Sequence, residues 1–402
     1  MRLIKKGIMC FKSEGFKTGM KKIVIKIYRE IKKLPYRFDE KINGNKKIDK
    51  LQMLMQNKEV YIIIPNIDWN IPLYQRPHQI ATELSKRENT VVLFLSDQYR
   101  YDRYSTYVQI KDNLWLYSIR MIDKLDKLTK LAKSKIVFMS WTRHIGLLNQ
   151  FKYDKLVYEY IDDLKLFYYY NKEMEKNHLR LMQTADLTVC TAVKLFNNAK
   201  KKVNNVLLCE NAGDYEFFSN NRNCRVDTVL KEKVKKYDCV IGYYGCLAYW
   251  FDYEMVCKVA EAKKNWIFVL IGYQFDNSAD KLVQAKYDNI LLLPAQPYEK
   301  LPGYIAAFDI QTIPFVINDV TKSTSPVKVF EYMASGLPII TSKMPECLRY
   351  KSVKTYETYE EFITLVENLN NLDRNDQYFK DMEEEALENT WKSRVDKILE
   401  NL

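Results

Sequence analysis

From Val60 onward the sequence alternates short, continuous apolar runs with helical stretches, and this rhythm restricts the fold more than any other feature. The runs 60–64, 91–95, 136–139, 156–160, 187–190 and 206–208 are too short for helices. They also lack the apolar–polar alternation of a strand with one wet face. Helical patterns at 76–87 and 171–183 lie between them. Buried strands joined by helices make a parallel sheet covered on both faces. A second series, 239–245, 267–271, 290–293, 310–313 and 338–341, repeats the pattern. The expected fold is therefore α/β: two doubly wound, Rossmann-like parallel-sheet units with a boundary in the charged stretch 220–237. The segment 379–402 reads as one charged amphipathic helix carrying Trp391.

The N-terminus is different in kind. Residues 1–58 hold 17 Lys and Arg against 5 Asp and Glu, which accounts for the whole net charge of +12. The remainder is balanced, so the globular part has no bulk charge for gripping nucleic acid, and no nucleic-acid partner is expected. Within 17–34, Met20, Val24, Ile27, Ile31 and Leu34 recur at helical spacing among lysines. Such a helix lies in the interface of an anionic membrane, or docks on its own protein with its charges in water. Gly44 and its polar neighbours read as a linker over 35–57. The expected division is 1–57 helix and linker, 58–228 acceptor domain, 229–380 donor domain and 381–402 terminal helix.

No run approaches the 18 apolar residues of a membrane span, and lysines interrupt every apolar run before a signal peptide could form. The eight cysteines have no CxxC spacing and several lie in strand-like runs, as expected of buried, reduced thiols in a cytoplasmic protein. With three histidines in the chain, a His-rich metal centre is not expected, and neither is a metal or other cofactor.

Open α/β sheets bind ligands beyond the carboxyl ends of their strands. In the second unit that edge carries Gly245, Gly272, Gln296, Pro297 and the segment Ser323-Thr324-Ser325 ahead of a helix. A helix start preceded by small residues offers backbone N–H groups to a diphosphate. Lys328 would add a positive charge, and Glu331, at i+3 on the same face, can accept two ribose hydroxyls. A solvated Lys–Glu pair and an ordinary proline-led helix start are the plain alternatives.

Taken together, Ser325-Pro326-Val327-Lys328-Val329-Phe330-Glu331-Tyr332 and Met333-Ala334-Ser335-Gly336-Leu337-Pro338 resemble the donor segment of retaining GT-B glycosyltransferases of the group 1 type. Asn211-Ala212-Gly213-Asp214 followed by Phe217 or Phe218 is similar to a second segment of that family. The likeness runs over roughly 60–400, and is nearest to enzymes of bacterial cell-surface polysaccharide pathways, the teichuronic acid type. It implies two domains facing a cleft, with the terminal helix crossing back to the first. It also implies transfer from a nucleotide-sugar to a lipid-linked or growing glycan at the inner membrane face. Ser323 stands where the family has its first motif glutamate, and no Arg or Lys follows the strand at Gly245. Lys328 is then expected to carry most of the side-chain charge on the donor phosphates.

In the first unit Arg76 and His78 open a helix, where Arg76 could meet a phosphate of donor or acceptor or simply start the helix. Asp162 and Asp163 end a strand, able to take a proton from an acceptor hydroxyl or to cap a helix. His144 follows another strand and is a further acceptor-side candidate. A non-catalytic nucleotide-sugar-binding subunit and a sugar-nucleotide epimerase are the rival readings.

Overall fold

The computed structural model describes residues 16–71, 74–96, 102–285 and 287–402. The chain divides into two compact units, 1–71 with 84–154 and 72–83 with 155–402. The strands belong to two sheets of parallel character, each expected run forming a strand.

In the first unit, helix α1 (Phe16–Met53) precedes β1 (Glu59–Ile64), β2 (Thr90–Ser96), β3 (Tyr107–Lys111), β4 (Leu114–Ser118) and β5 (Ser134–Met139), while α2 (Arg76–Ser85), between β1 and β2 in the chain, belongs mostly to the second unit. The strand order is β3-β4-β2-β1-β5, with only β3 and β4 antiparallel. All seven residues of β2 are buried, as an unbroken apolar run requires. The linker expected at 35–57 is instead helix as far as Met53. Gly44 is buried there for a packing reason: a Cβ on it would come within 3.0 Å of Met121 Cε. Glu40 accepts from both Arg120 Nε and Arg120 Nη2, at 2.9 and 2.7 Å, which ties the same stretch down.

The second unit holds β6 (Lys155–Tyr160), α3 (Lys172–Thr184), β7 (Leu187–Cys190), α4 (Val193–Lys200) and β8 (Val206–Leu208), its strands parallel in the order β6-β7-β8. It continues with β9 (Cys239–Tyr244), α5 (Tyr253–Ala262), β10 (Trp266–Ile271), β11 (Ile290–Leu293), β12 (Ile310–Ile313), α6 (Val327–Ser335), β13 (Ile339–Ser342) and β14 (Val353–Tyr356). These six strands are all parallel, in the order β11-β10-β9-β12-β13-β14. The order reverses between β9 and β12, and a doubly wound sheet opens a crevice at that point.

The single helix expected over 379–402 is two, α7 (Gln377–Glu388) and α8 (Trp391–Glu400). Thr390 restarts the helix by accepting from Ser393 N–H, and Asn389 turns its carbonyl to Gly213 N–H at 3.0 Å. Seven cysteines fall among the described residues and all are free. Cys190, Cys209, Cys239 and Cys347 are buried, whereas Cys224, Cys246 and Cys257 are half-buried. Cys10 lies outside the described residues.

Candidate functional site

The crevice between β9 and β12 is built from residues that follow those strands. Gly245 sits one residue past β9 with φ +145°, a conformation that side chains with a Cβ rarely adopt. A Cβ on Gly245 would collide with Lys328 Cε, and one on Gly272 would collide with the Gly245 carbonyl. The two glycines thus let the loops after β9 and β10 close on each other while leaving room for the lysine. Lys328, in the first turn of α6, lays its Nζ 5.7 Å from the Tyr243 ring centre and 5.9 Å from that of Phe315. Its ammonium has no hydrogen-bond or ion-pair partner among the described residues. Burial lowers its pKa from the ordinary lysine value, and the Glu331 carboxylate pulls it back.

The sequence fixes how α6 is presented. Val329, Phe330, Tyr332, Met333 and Ala334 are buried, and Gly336 ends the helix in the left-handed region at φ +75°. Pro326 at the N-cap supplies no side-chain cap, so the first-turn N–H groups have none from it. Asn211 holds the entrance: its N–H donates to Ser325 Oγ at 3.2 Å and its Nδ2 to the Ser325 carbonyl at 2.7 Å. Gly213 lets this segment lie against α6, because a Cβ there would come within 2.7 Å of the Phe330 backbone. Ser323 and Thr324 turn their hydroxyls back to the carbonyls of Asp319 and Val320, at 2.9 and 2.7 Å, and so shape the loop.

Glu331 is buried, and burial raises its carboxyl above the usual range, against the Tyr244 hydrogen bond and the charge of Lys328. Tyr244 Oη donates to Glu331 Oε2 at 2.7 Å and Tyr298 Oη to Oε1 at 3.2 Å. Tyr298 stacks on Phe217 with ring centres 5.1 Å apart. Sequence reasoning gave neither tyrosine a role. The one available signal was the position of Tyr244 at the carboxyl end of β9. Gln296 donates to the Pro294 carbonyl at 3.0 Å, and Pro297 caps the short helical turn Tyr298–Lys300 on the surface.

Arg76 and His78 are not available to a ligand as expected. Arg76 is 3% exposed; its Nε donates to Glu159 Oε1 at 2.8 Å and its Nη1 to the Glu210 carbonyl at 2.9 Å and Asn211 Oδ1 at 3.3 Å. The guanidinium is consumed in pinning β6 to the 209–211 segment. His78 is fully buried, stacks on Tyr74 and accepts from Gln75 N–H at 3.1 Å. His144 is half-buried beyond β5, hydrogen-bonded to the Pro65 carbonyl, with its Nδ1 unpaired among the described residues. Burial lowers its pKa. His178, on α3, is buried and paired with Tyr158 Oη at 2.7 Å.

Beyond β6, Asp163 caps the turn Leu164–Leu166 and faces Lys194 of α4 at 3.6 Å. Asp162 reaches solvent, yet the surrounding protein and the Asp163 charge raise its carboxyl to about 6. The loop continues into an aromatic run in which Tyr168 is 98% exposed and Phe167 stacks on Tyr169. Among the described residues no group of three or more His, Cys, Asp and Glu could hold a metal. No described helix is long and apolar enough to cross a membrane.

Residues 241–367 match the model of the family described as glycosyl transferases group 1. A Bacillus subtilis protein described as a teichuronic acid biosynthesis glycosyltransferase, TuaH, is 23% identical over 320 residues, spanning 75% of this chain and 77% of its own. The sucrose-phosphate synthase of Thermosynechococcus elongatus superposes with a TM-score of 0.64 at 10% identity, over 86% of this chain and 98% of that one. The Anabaena protein HepE, solved in complex with UDP-glucose, superposes with a TM-score of 0.60 at 10% identity, over 86% and 100%.

Proposed function

This chain is a glycosyltransferase that carries a group 1 domain on a GT-B fold, and from that premise we propose that it moves a sugar from a nucleotide-sugar to a lipid-linked, growing surface polysaccharide, with retention of configuration. One observation carries the donor assignment. A lysine with no ion-pair partner among the described residues is set against a positive-φ glycine, at the strand-order reversal and the first turn of a helix. Folded chains rarely leave a half-buried ammonium without an ion-pair partner, and a diphosphate is the complement of this one. Backbone N–H groups of α6 assist it, and no resident metal is invoked.

Glu331 takes the ribose hydroxyls in this reading, exchanging or sharing the hydrogen bonds it now receives from Tyr244 and Tyr298. Gly245, Gly272, Gln296, Pro297 and Ser323–Ser325 shape the pocket around it. In transfer, the bond from anomeric carbon to diphosphate breaks while the acceptor hydroxyl bonds to the same face of that carbon. Its proton passes to the departing phosphate or to Asp162, whose raised carboxyl suits that exchange. Lys328 stabilises charge growing on the leaving group, a preorganised electrostatic effect. Tyr168 offers its exposed ring to an acceptor sugar.

The teichuronic acid relative supports a cell-envelope acceptor, and the basic helix over 17–34 supports work at the cytoplasmic face of an anionic membrane. Calorimetry against a panel of nucleotide-sugars, followed by a transfer assay with Lys328→Ala, tests the reading. Binding of one donor by the wild type and loss of turnover in the variant are expected; equal turnover would reject it.

A further inference from the structure

Apolar spacing among lysines suits the helix over 17–34 to an anionic membrane or to docking on its own protein, and the surface of α1 distinguishes these. Val24, Ile27, Tyr28, Ile31, Leu34, Phe38 and Ile42 are all exposed, from 43% at Leu34 to 77% at Ile42. At about 100° per residue, Val24, Ile27, Tyr28, Ile31, Phe38 and Ile42 fall on one face, with Leu34 at its edge. Glu40, Gly44, Ile48 and Leu51 lie on the opposite face and are buried against the rest of the first unit. The second half of the helix is therefore docked by its back, and its apolar front points away from the protein.

The charges identify what the front meets. Every acidic residue of α1 already has a basic partner: Glu30 with Lys33 and Arg37, Asp39 with Lys47, Glu40 with Arg120 and Asp49 with Lys127. Lys32, Lys41, Lys46 and Lys50 are exposed and make no ion pair among the described residues. Apolar residues flanked by unspent ammonium groups complement a surface with hydrocarbon below and anionic headgroups above. A second copy of the same helix would bring these lysines against each other.

We infer that the membrane-binding face of this protein is the continuous strip from Val24 to Ile42, lying in the interface of an anionic bilayer and held to the first unit through the docked half of α1. This rests on the membrane reading above and extends it past residue 34. It makes the anchor a rigid extension of the globular unit rather than a tether.

The test is co-sedimentation of the full chain with phosphatidylcholine vesicles, with and without phosphatidylglycerol. Two surface pairs are compared, Phe38→Asp with Ile42→Asp and Val24→Asp with Ile31→Asp. Circular dichroism checks the fold of each. Both pairs are expected to lower binding to the anionic vesicles by about tenfold or more, since each removes two interfacial apolar groups. Loss only in the 24/31 pair would end the anchor near residue 34, overturning the extension while sparing the membrane reading. Wild-type binding by both pairs would overturn both. A wild-type dimer that the 38/42 pair converts to monomer, with no vesicle binding in either, would assign the face to self-association instead.

Discussion

Arg76 and Lys328 are both basic, both near a helix start in the second unit, and both looked fit for a phosphate. Their surroundings separate them. Arg76 is enclosed with the Glu159 carboxylate, the Glu210 backbone carbonyl and the Asn211 side-chain amide oxygen, so its charge is answered from within the fold. Lys328 meets two aromatic rings and a glycine, and its nearest carboxylate, Glu331, is engaged by two tyrosine hydroxyls. A cation whose donors are all satisfied serves the fold. One with its donors unused is available to a ligand. Residue type does not reveal which; partner geometry does.

The largest effect that sharpens this contrast is on stability. Arg76→Ala leaves Glu159 buried and unpaired, and is expected to cost about 3–5 kcal/mol, read as a shift in the urea midpoint. Lys328→Ala, by contrast, is expected to hold its midpoint and lower turnover by about 10²–10³-fold, the usual effect of losing one preorganised charge at a leaving group. If the two variants exchanged these phenotypes, the comparison would fail.

The strands that position these residues were readable because each is a continuous apolar run. β3, β4 and β14 were not: half-exposed Tyr107–Lys111 and Val353–Tyr356 carry lysines, and Leu114–Ser118 follows a tight turn at Asn113, φ +58°. Gly44 and its polar neighbours suggested a linker because the packing reason is not local; the contact that suits a glycine at 44 comes from Met121. At the site, Lys328 and Glu331 were legible from their own spacing on one helix. Tyr244, Tyr298 and Glu159 were not, since each meets its partner across 33 to 87 residues of chain.

A smaller effect compares the carboxylates. Glu331→Gln is expected to weaken nucleotide-sugar binding by about tenfold, roughly 1.4 kcal/mol, with little change in melting. Glu159→Gln should instead lower melting and leave nucleotide binding as it was. Differential scanning fluorimetry beside equilibrium binding decides this.

The smallest expected effect concerns pH. Because the Asp162 carboxyl stands at about 6, above the usual aspartate value, it is protonated below that pH and cannot accept a proton there. Turnover should therefore fall as pH drops through about 6, and this limb should vanish in Asp162→Asn. Glu331 is raised as well, so a limb that survives the substitution would move the assignment to Glu331.

The most direct test of the central claim is calorimetric titration of a nucleoside diphosphate panel, UDP included, into wild type, Lys328→Ala and Lys328→Arg. The account predicts a heat for at least one diphosphate that Lys328→Ala abolishes and Lys328→Arg partly restores. Equal affinity in wild type and Lys328→Ala would contradict it.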